Sequence, residues 1–398
     1  MSKVIMIGCD LHDRSMLLRY AVGTGQPQQL SFENDARGRG QMVSRLQSIA
    51  KKEQATRIVF AYEASGQGYG LSDLLESQGI ECHVLSPTHL PTTPKRAKLK
   101  TDAKDAQMLL EQVRGFVLAG NPLPVVWTPP QRLRDDRELM RARIDAGDET
   151  TRVKLKILSL LKRRGIVKPS WYRSKWSKRF VQWLREDVQL SLDPVVAACF
   201  ERLVDRYEVF HSEQTKLEKA IRNLSQTRRY KVSCAELRKI PGVGLLVAMT
   251  FLTEMGDLTR FNNRREVAAY LGLCPSSFET GGPGKDRKGR ITRQGPSRVR
   301  KMLCQAAWVS VRDCDEASAA YQRIKQGQSK RTKKALVALM RKLGIKMWHR
   351  ALSCGVSAEL MGRGGPHAAE RAWTETEQAS ARAPQRDDSI NYEFKDRC

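Results

Sequence analysis

Val4-Ile5-Met6-Ile7-Gly8-Cys9-Asp10 runs four apolar residues into a Gly-Cys-Asp ending, the pattern of a buried strand that stops on a carboxylate. Outward from it, a second strand is expected at Met16–Val22 and a third around Gln28–Phe32, with Gly23-Thr24-Gly25 turning before the third. Residues 40–50 read as a helix whose Met42, Val43, Leu46 and Ile49 share a face. Arg57–Tyr62 is a strand again and ends on Glu63. A helix over Leu71–Leu75, a strand at Cys82–Leu85 and a further helix follow. Three strands, then helix, strand, helix, strand, helix is the order of an RNase H-like α/β sheet, in which the first strand sits beside the fourth.

That further helix opens on Lys100-Thr101-Asp102-Ala103-Lys104-Asp105, with Thr101 as its N-cap. The i, i+3 spacing stacks the two carboxylates on one face, Cβ atoms roughly 5–6 Å apart. Like charges about 4 Å apart repel by roughly 4 kcal/mol at an effective dielectric of 20. A helix N-terminus returns only about 0.3–1 kcal/mol. The pair therefore points to a divalent cation, and the upstream Lys95, Arg96, Lys98 and Lys100 to a phosphate on it. The plainer reading is a solvated first turn that favours Asp. The topology weighs against it, because Asp10 and Glu63 would end neighbouring strands at the edge where α/β sheets collect ligands. Four carboxylates from three elements suit two Mg²⁺ ions.

The 398 residues hold 70 Lys+Arg against 43 Asp+Glu, a formal charge of +27, which is the footprint of a nucleic-acid binder. No stretch is long and apolar enough to span a bilayer, so no membrane partner is expected. Met-Ser-Lys-Val-Ile-Met-Ile-Gly enters a strand directly and lacks the signal-peptide pattern. Nine scattered cysteines without a Cys-x-x-Cys pair argue for reduced thiols in a cytoplasm and against a zinc site or a disulfide framework.

After Pro129-Pro130 the chain becomes helical. Residues 131–164 are strongly charged, and Trp176, Phe180 and Trp183 read as a core stripe rather than a base-stacking platform. Phe200, Leu203, Tyr207, Phe210, Gln214, Leu217, Ile221 and Leu224 form a coiled-coil seam that pairs either with the 131–164 helix or with another chain. Leu237–Gly244 followed by the apolar Leu245–Leu252 has the form of a helix-hairpin-helix, whose Gly242 and Gly244 amides suit a DNA phosphate, or of an ordinary tight turn. A glycine-rich loop then carries Lys285, Arg287, Lys288 and Arg290, followed by Arg293, Arg298 and Arg300, all candidates for the nucleic-acid backbone. It is no Walker loop, since Asp286 follows Lys285. The expected domains are 1–130, 131–232 and 233–360, with a disordered tail at 361–398.

Gly8-Cys9-Asp10, Tyr62-Glu63-Ala64-Ser65-Gly66 and Lys100-Thr101-Asp102-Ala103-Lys104-Asp105-Ala106 resemble the successive motifs of the DEDD insertion-sequence transposases, whose catalytic domain is similar to the RuvC resolvase. Ile240-Pro241-Gly242-Val243-Gly244, Gly289-Arg290-Ile291-Thr292-Arg293-Gln294-Gly295 and Ala306-Ala307 resemble that family's C-terminal, mainly α transposase domain. The resemblance implies that Asp10, Glu63, Asp102 and Asp105 bind the metal. It also implies a recombinase guided by a structured noncoding RNA that pairs with donor and target DNA, with dimers assembling into a tetramer. Where the family has a serine nucleophile this chain has Thr280, which keeps a hydroxyl but stiffens χ1; Ser276 and Ser277 are the alternative hydroxyls. Two other functions stay open on the residues: a resolvase-like metal nuclease using water, and a non-catalytic RNA/DNA-binding scaffold.

Overall fold

A computed structural model describes residues 3–91, 101–173, 175–278 and 287–363, with backbone alone for Ser277, Phe278, Arg287 and Lys288. It divides into two compact units, one ending at Pro129 and rejoined at Gly362, the other beginning at Pro130 and running to Met361.

The first unit is built on a five-stranded sheet of order β3-β2-β1-β4-β5. Its strands are β1 (Lys3–Leu11), β2 (Ser15–Val22), β3 (Gln28–Glu33), β4 (Ala55–Glu63) and β5 (Glu81–Leu85). The β1–β2 and β2–β3 pairs are antiparallel, while β1–β4 and β4–β5 are parallel. The first strand thus lies beside the fourth, in the arrangement of an RNase H-like domain. Helices α1 (Ala36–Glu53) and α2 (Gly70–Ser77) belong to one face, and α3 (Asp102–Ala119) to the other.

Strand alternation decides which residues see which helix. Ile5, Ile7, Cys9 and Leu11 of β1, with Phe60 and Tyr62 of β4, pack in the cluster that holds Met42, Leu46, Leu71 and Leu75. Met6, Val59 and Ala61 pack instead with Leu109, Leu110 and Val113 of α3. Asp10 continues the Met6–Gly8 face and Glu63 continues the Val59–Ala61 face, so both carboxylates belong to the side of the sheet covered by α3.

Gly8 sets how close that helix comes. A Cβ built there would collide with the α3 backbone at Leu110 N, Ala106 O and Leu109 C, the last at 2.7 Å. Only the missing side chain lets the helix lie directly on β1.

The chain returns to this unit after its helical excursion. Thr128 and Arg363 exchange two backbone hydrogen bonds (2.7 and 2.9 Å), and the Arg363 guanidinium pairs with Glu76 and, at 2.8 Å, with Asp73. Residues 361–363, assigned to the tail on sequence, are therefore ordered by backbone and ionic contacts; 364–398 lie outside the described residues.

The second unit is largely helical. Helix α4 (Gln131–Arg163) leads to α5 (Lys178–Trp183), which continues through a π turn at Leu184–Val188, and then to α6 (Pro194–Ser225). The helices α4 and α6 run antiparallel. Arg143 Nε donates to Glu218 Oε1 at 3.0 Å, while Lys154, farther along α4, lies over the ring of Tyr207, earlier on α6. The seam of α6 is thus paired within the chain, and it is broader than the heptad, taking in Val204 and Ser225. Its polar position has a partner: with the Gln214 amide turned to satisfy both groups, its oxygen accepts from Arg143 Nη2 at 2.6 Å and Nη1 at 2.8 Å. Phe180 is fully buried, stacked on Tyr172 (4.2 Å between centroids) and edge-on to Trp176 (5.1 Å), so this stripe is core.

Beyond it come α7 (Lys231–Leu237), α8 (Leu245–Met255), α9 (Arg264–Tyr270), the β6–β7 hairpin strands (Pro275–Phe278 and Arg287–Ile291), α10 (Ser297–Asp313), α11 (Asp315–Lys325) and α12 (Thr332–Ser353). Buried charges tie α4 to this part. Arg137 donates to the Thr253 and Glu254 carbonyls at 2.8 and 2.9 Å, and Arg141 Nε donates to the buried Glu254 carboxylate at 3.1 Å.

Candidate active site

Asp10 and Asp102 come together where the end of β1 meets the start of α3. Cys9 is in register with Tyr62, so the next residues, Asp10 and Glu63, close two neighbouring parallel strands. On the same face α3 begins: Thr101 occupies the N-cap position and its carbonyl accepts from Lys104 N (2.9 Å) and Asp105 N (3.0 Å), although its side chain makes no capping bond. The Gly8 contact lies one turn farther along α3 and brings its first turn over the end of β1.

Asp10 and Asp102 are joined by a residue that the sequence reading left out. His12 Nε2 lies 3.1 Å from Asp10 Oδ2 and 3.4 Å from Asp102 Oδ1. One ligand atom from each of Asp10, His12 and Asp102 falls within 4.8 Å of the others. The available signal was Asp10-x-His12: two residues apart in extended chain share a face, and the strand runs through Asp10 to Leu11.

Charge is concentrated here. Burial raises the pKa of Asp10, His12 lowers it, and Asp102 and Asp105 raise it again. Asp105 shares the first turn of α3 with Asp102 and adds to that negative charge. Glu63 stands one strand away, half-buried, outside the 4.8 Å group. A half-buried carboxylate held beside two others is the environment a bound cation relieves. Asp10, Asp102 and His12 thus fit a divalent metal in donor type and in spacing. His12 also lines an open cleft of ≈ 700 Å³ with Arg14, Ser65 and Gln67.

The basic candidates of the second unit divide. Arg300 is committed elsewhere: Nη1 donates to the carbonyls of Gln294 (2.6 Å), Leu271 (3.2 Å) and Gly295 (3.2 Å), and Nη2 to that of Arg293 (2.8 Å). Its two terminal nitrogens thus tie the 293–295 loop to Leu271 at the end of α9. Arg298 pairs with Asp145 at 3.4 Å, while Arg290 and Arg293 are exposed. Arg287 and Lys288 lie in β7.

Gly242 and Gly244 have different surroundings. Gly242, at φ +80°, faces α10 so closely that a Cβ would lie 2.6 Å from Ser310 Oγ, and that hydroxyl donates to the Pro241 carbonyl at 2.7 Å. The absence of a side chain lets the turn pack directly on α10. Gly244 is exposed at the N-terminus of α8, with open space where a side chain would stand. Thr280, Lys285, Lys98 and Lys100 lie outside the described residues. Every cysteine among the described residues is a free thiol, and no described helix is long and apolar enough to cross a membrane.

Two family models match this chain. Residues 7–165 match a transposase model of DEDD type, and residues 234–341 match the model described as "Transposase IS116/IS110/IS902 family". The Sinorhizobium fredii protein y4qE, which carries a transposase name, is 33% identical over 257 residues, or 63% of this chain and 58% of its own length. The transposase for insertion sequence element IS1533 of Leptospira borgpetersenii is 23% identical over 309 residues, covering 77% of this chain and 86% of that protein. The transposase for insertion sequence element IS1111A of Coxiella burnetii is 24% identical over 233 residues, 58% of this chain and 59% of that one. The chain thus spans under two thirds of two of these relatives and most of the third. An N-terminal DEDD domain on an RNase H-like sheet, followed by a C-terminal transposase domain, makes this chain a member of the IS110/IS116/IS902 family of insertion-sequence transposases.

Proposed function

We propose that this chain cuts and rejoins DNA strands at the ends of an insertion sequence and at its target. In this reading Asp10, Glu63, Asp102 and Asp105 hold the metal and the hydroxyl of Thr280 is the nucleophile. The observation that supports it is the meeting of Asp10 and Asp102 on one side of the Gly8–α3 contact. Two Mg²⁺ ions bound by these carboxylates would activate the attacking oxygen and stabilise the leaving one. The protein's own share is placement: β1 and β4 fix two acids, α3 presents the other two, and the sheet keeps them rigid.

In the second unit, the exposed Arg290 and Arg293 and the Gly244 amide at the start of α8 are the phosphate contacts we favour. Thr280 is tested by its adduct. Thr280→Ala should bind DNA normally and form no covalent protein–DNA species, whereas Thr280→Ser should keep or raise adduct formation, because it retains the hydroxyl and frees χ1. An adduct mapped by peptide sequencing to Ser276 or Ser277 would move the role to that residue. Cleavage with no adduct in the wild type would favour a water-using nuclease.

The same reading includes a structured noncoding guide RNA and a dimer that assembles into a tetramer on DNA. The formal charge of +27 supports the nucleic-acid load. Purified protein should carry RNA, bind it with a steep salt dependence, and show no sequence preference for DNA without it. Tight target discrimination by RNA-free protein in a filter-binding assay would contradict guidance.

A further inference from the structure

The His12 ring has a feature that hydrogen bonding alone does not explain. One nitrogen, Nε2, faces two carboxylates at once, at 3.1 Å from Asp10 Oδ2 and 3.4 Å from Asp102 Oδ1. Its hydrogen bond is with Asp10, and the 3.4 Å approach to Asp102 is an ionic contact rather than a second hydrogen bond. A cation shared by the three groups would also account for both distances. With metal–ligand bonds of about 2.0–2.2 Å, neighbouring ligands of an octahedron stand roughly 3 Å apart. The separations from His12 to the two carboxylates are close to that edge length.

The residue is also held in place. Asn34 Nδ2 donates to the His12 carbonyl at 2.6 Å, and His12 N donates to the Ser15 carbonyl at 2.9 Å. Asn34 is oriented in turn by Arg39 Nε, which donates to its Oδ1 at 2.8 Å. Such support behind a ligand reduces what must be ordered when a metal binds. The side chain itself is half-exposed and takes no part in the apolar core.

We propose that His12 is a direct metal ligand, so that one cation position of the centre is a carboxylate–imidazole–carboxylate set that takes Mn²⁺ more tightly than Mg²⁺. The proposal rests on the reading of these acids as a metal centre. Its chemistry is that of donor softness: carboxylate oxygens serve Mg²⁺ and Mn²⁺ alike, but imidazole nitrogen favours transition cations. Replacing an all-oxygen set by one with a nitrogen therefore shifts preference within the same cluster.

The test uses full-length protein and Mn²⁺ as the probe, with affinity from an electron-paramagnetic-resonance titration and ligand identity from electron-spin-echo modulation. Wild type should bind Mn²⁺ and show imidazole ¹⁴N modulation. His12→Ala should lose the modulation and weaken Mn²⁺ at least about tenfold, the lower end of what even an outer-shell partner costs. Mg²⁺, measured by competition, should weaken less than Mn²⁺. His12→Gln keeps a hydrogen-bonding side chain without the imidazole, so full Mn²⁺ affinity in that variant would assign His12 a hydrogen-bonding role and overturn the proposal. Mn²⁺ uptake that depends on Asp10 but shows no ¹⁴N coupling would also overturn it, while leaving the acidic metal centre standing. Uptake indifferent to Asp10→Asn would remove both.

Discussion

Asp102→Asn is expected to lower DNA strand cleavage by roughly 10²–10³-fold, the scale of losing one preorganised electrostatic group, while DNA binding changes little. Asp102 sits exposed in the first turn of α3, and outside the acid cluster no described side chain depends on it for packing. Substitution therefore removes charge without opening a cavity. It also leaves the basic residues that neutralise phosphates untouched, so the non-specific affinity and its salt slope should survive. Gel assays of cleavage and filter binding on the same preparation separate the two effects. Cleavage at the wild-type rate would take Asp102 out of the site.

Gly8→Ala should be as damaging, by a different route. The added Cβ would enter the backbone of α3 at Ala106 O, Leu109 C and Leu110 N, where no flexible side chain can yield. Overpacking of this kind costs typically about 1–3 kcal/mol, occasionally more, and the relief available is to lift the helix off β1. Asp102 and Asp105 ride on that helix, so they would leave Asp10 behind. A misplacement of about 1 Å can cost on the order of 10²-fold in rate. The variant should thus be destabilised in urea and impaired in cleavage, though it alters no acid. Wild-type cleavage together with wild-type stability would mean that the contact does not hold the site.

Much of this architecture is legible in the sequence because it is carried by local pattern. The continuous apolar runs Val4–Ile7 and Ile58–Tyr62 mark two buried strands ending on acids, and the Asp102–Asp105 spacing gives one helical face. The pairing of β1 with β4 then places Asp10 and Glu63 side by side.

What the sequence hides is what only folding assembles. His12 becomes meaningful when β1 continues through Asp10 and α3 docks above it. The bonds from Arg300 to the carbonyls of Leu271, Arg293, Gln294 and Gly295 likewise exist only once the chain has folded around its guanidinium. The close packing of Gly242 on α10 is visible only in the fold. The partner of the Gln214 seam was undecided for the same reason, since heptads specify a stripe and not its mate.

The proposed chemistry requires that strand ends and helix start form one metal centre. Anomalous scattering from crystals grown with Mn²⁺ tests it most directly. A peak bonded to carboxylate oxygens of Asp10 and Asp102, at about 2.0–2.2 Å, is the predicted result. Crystals of protein that cleaves DNA with Mn²⁺, yet show no anomalous peak at this sheet edge, would contradict the account.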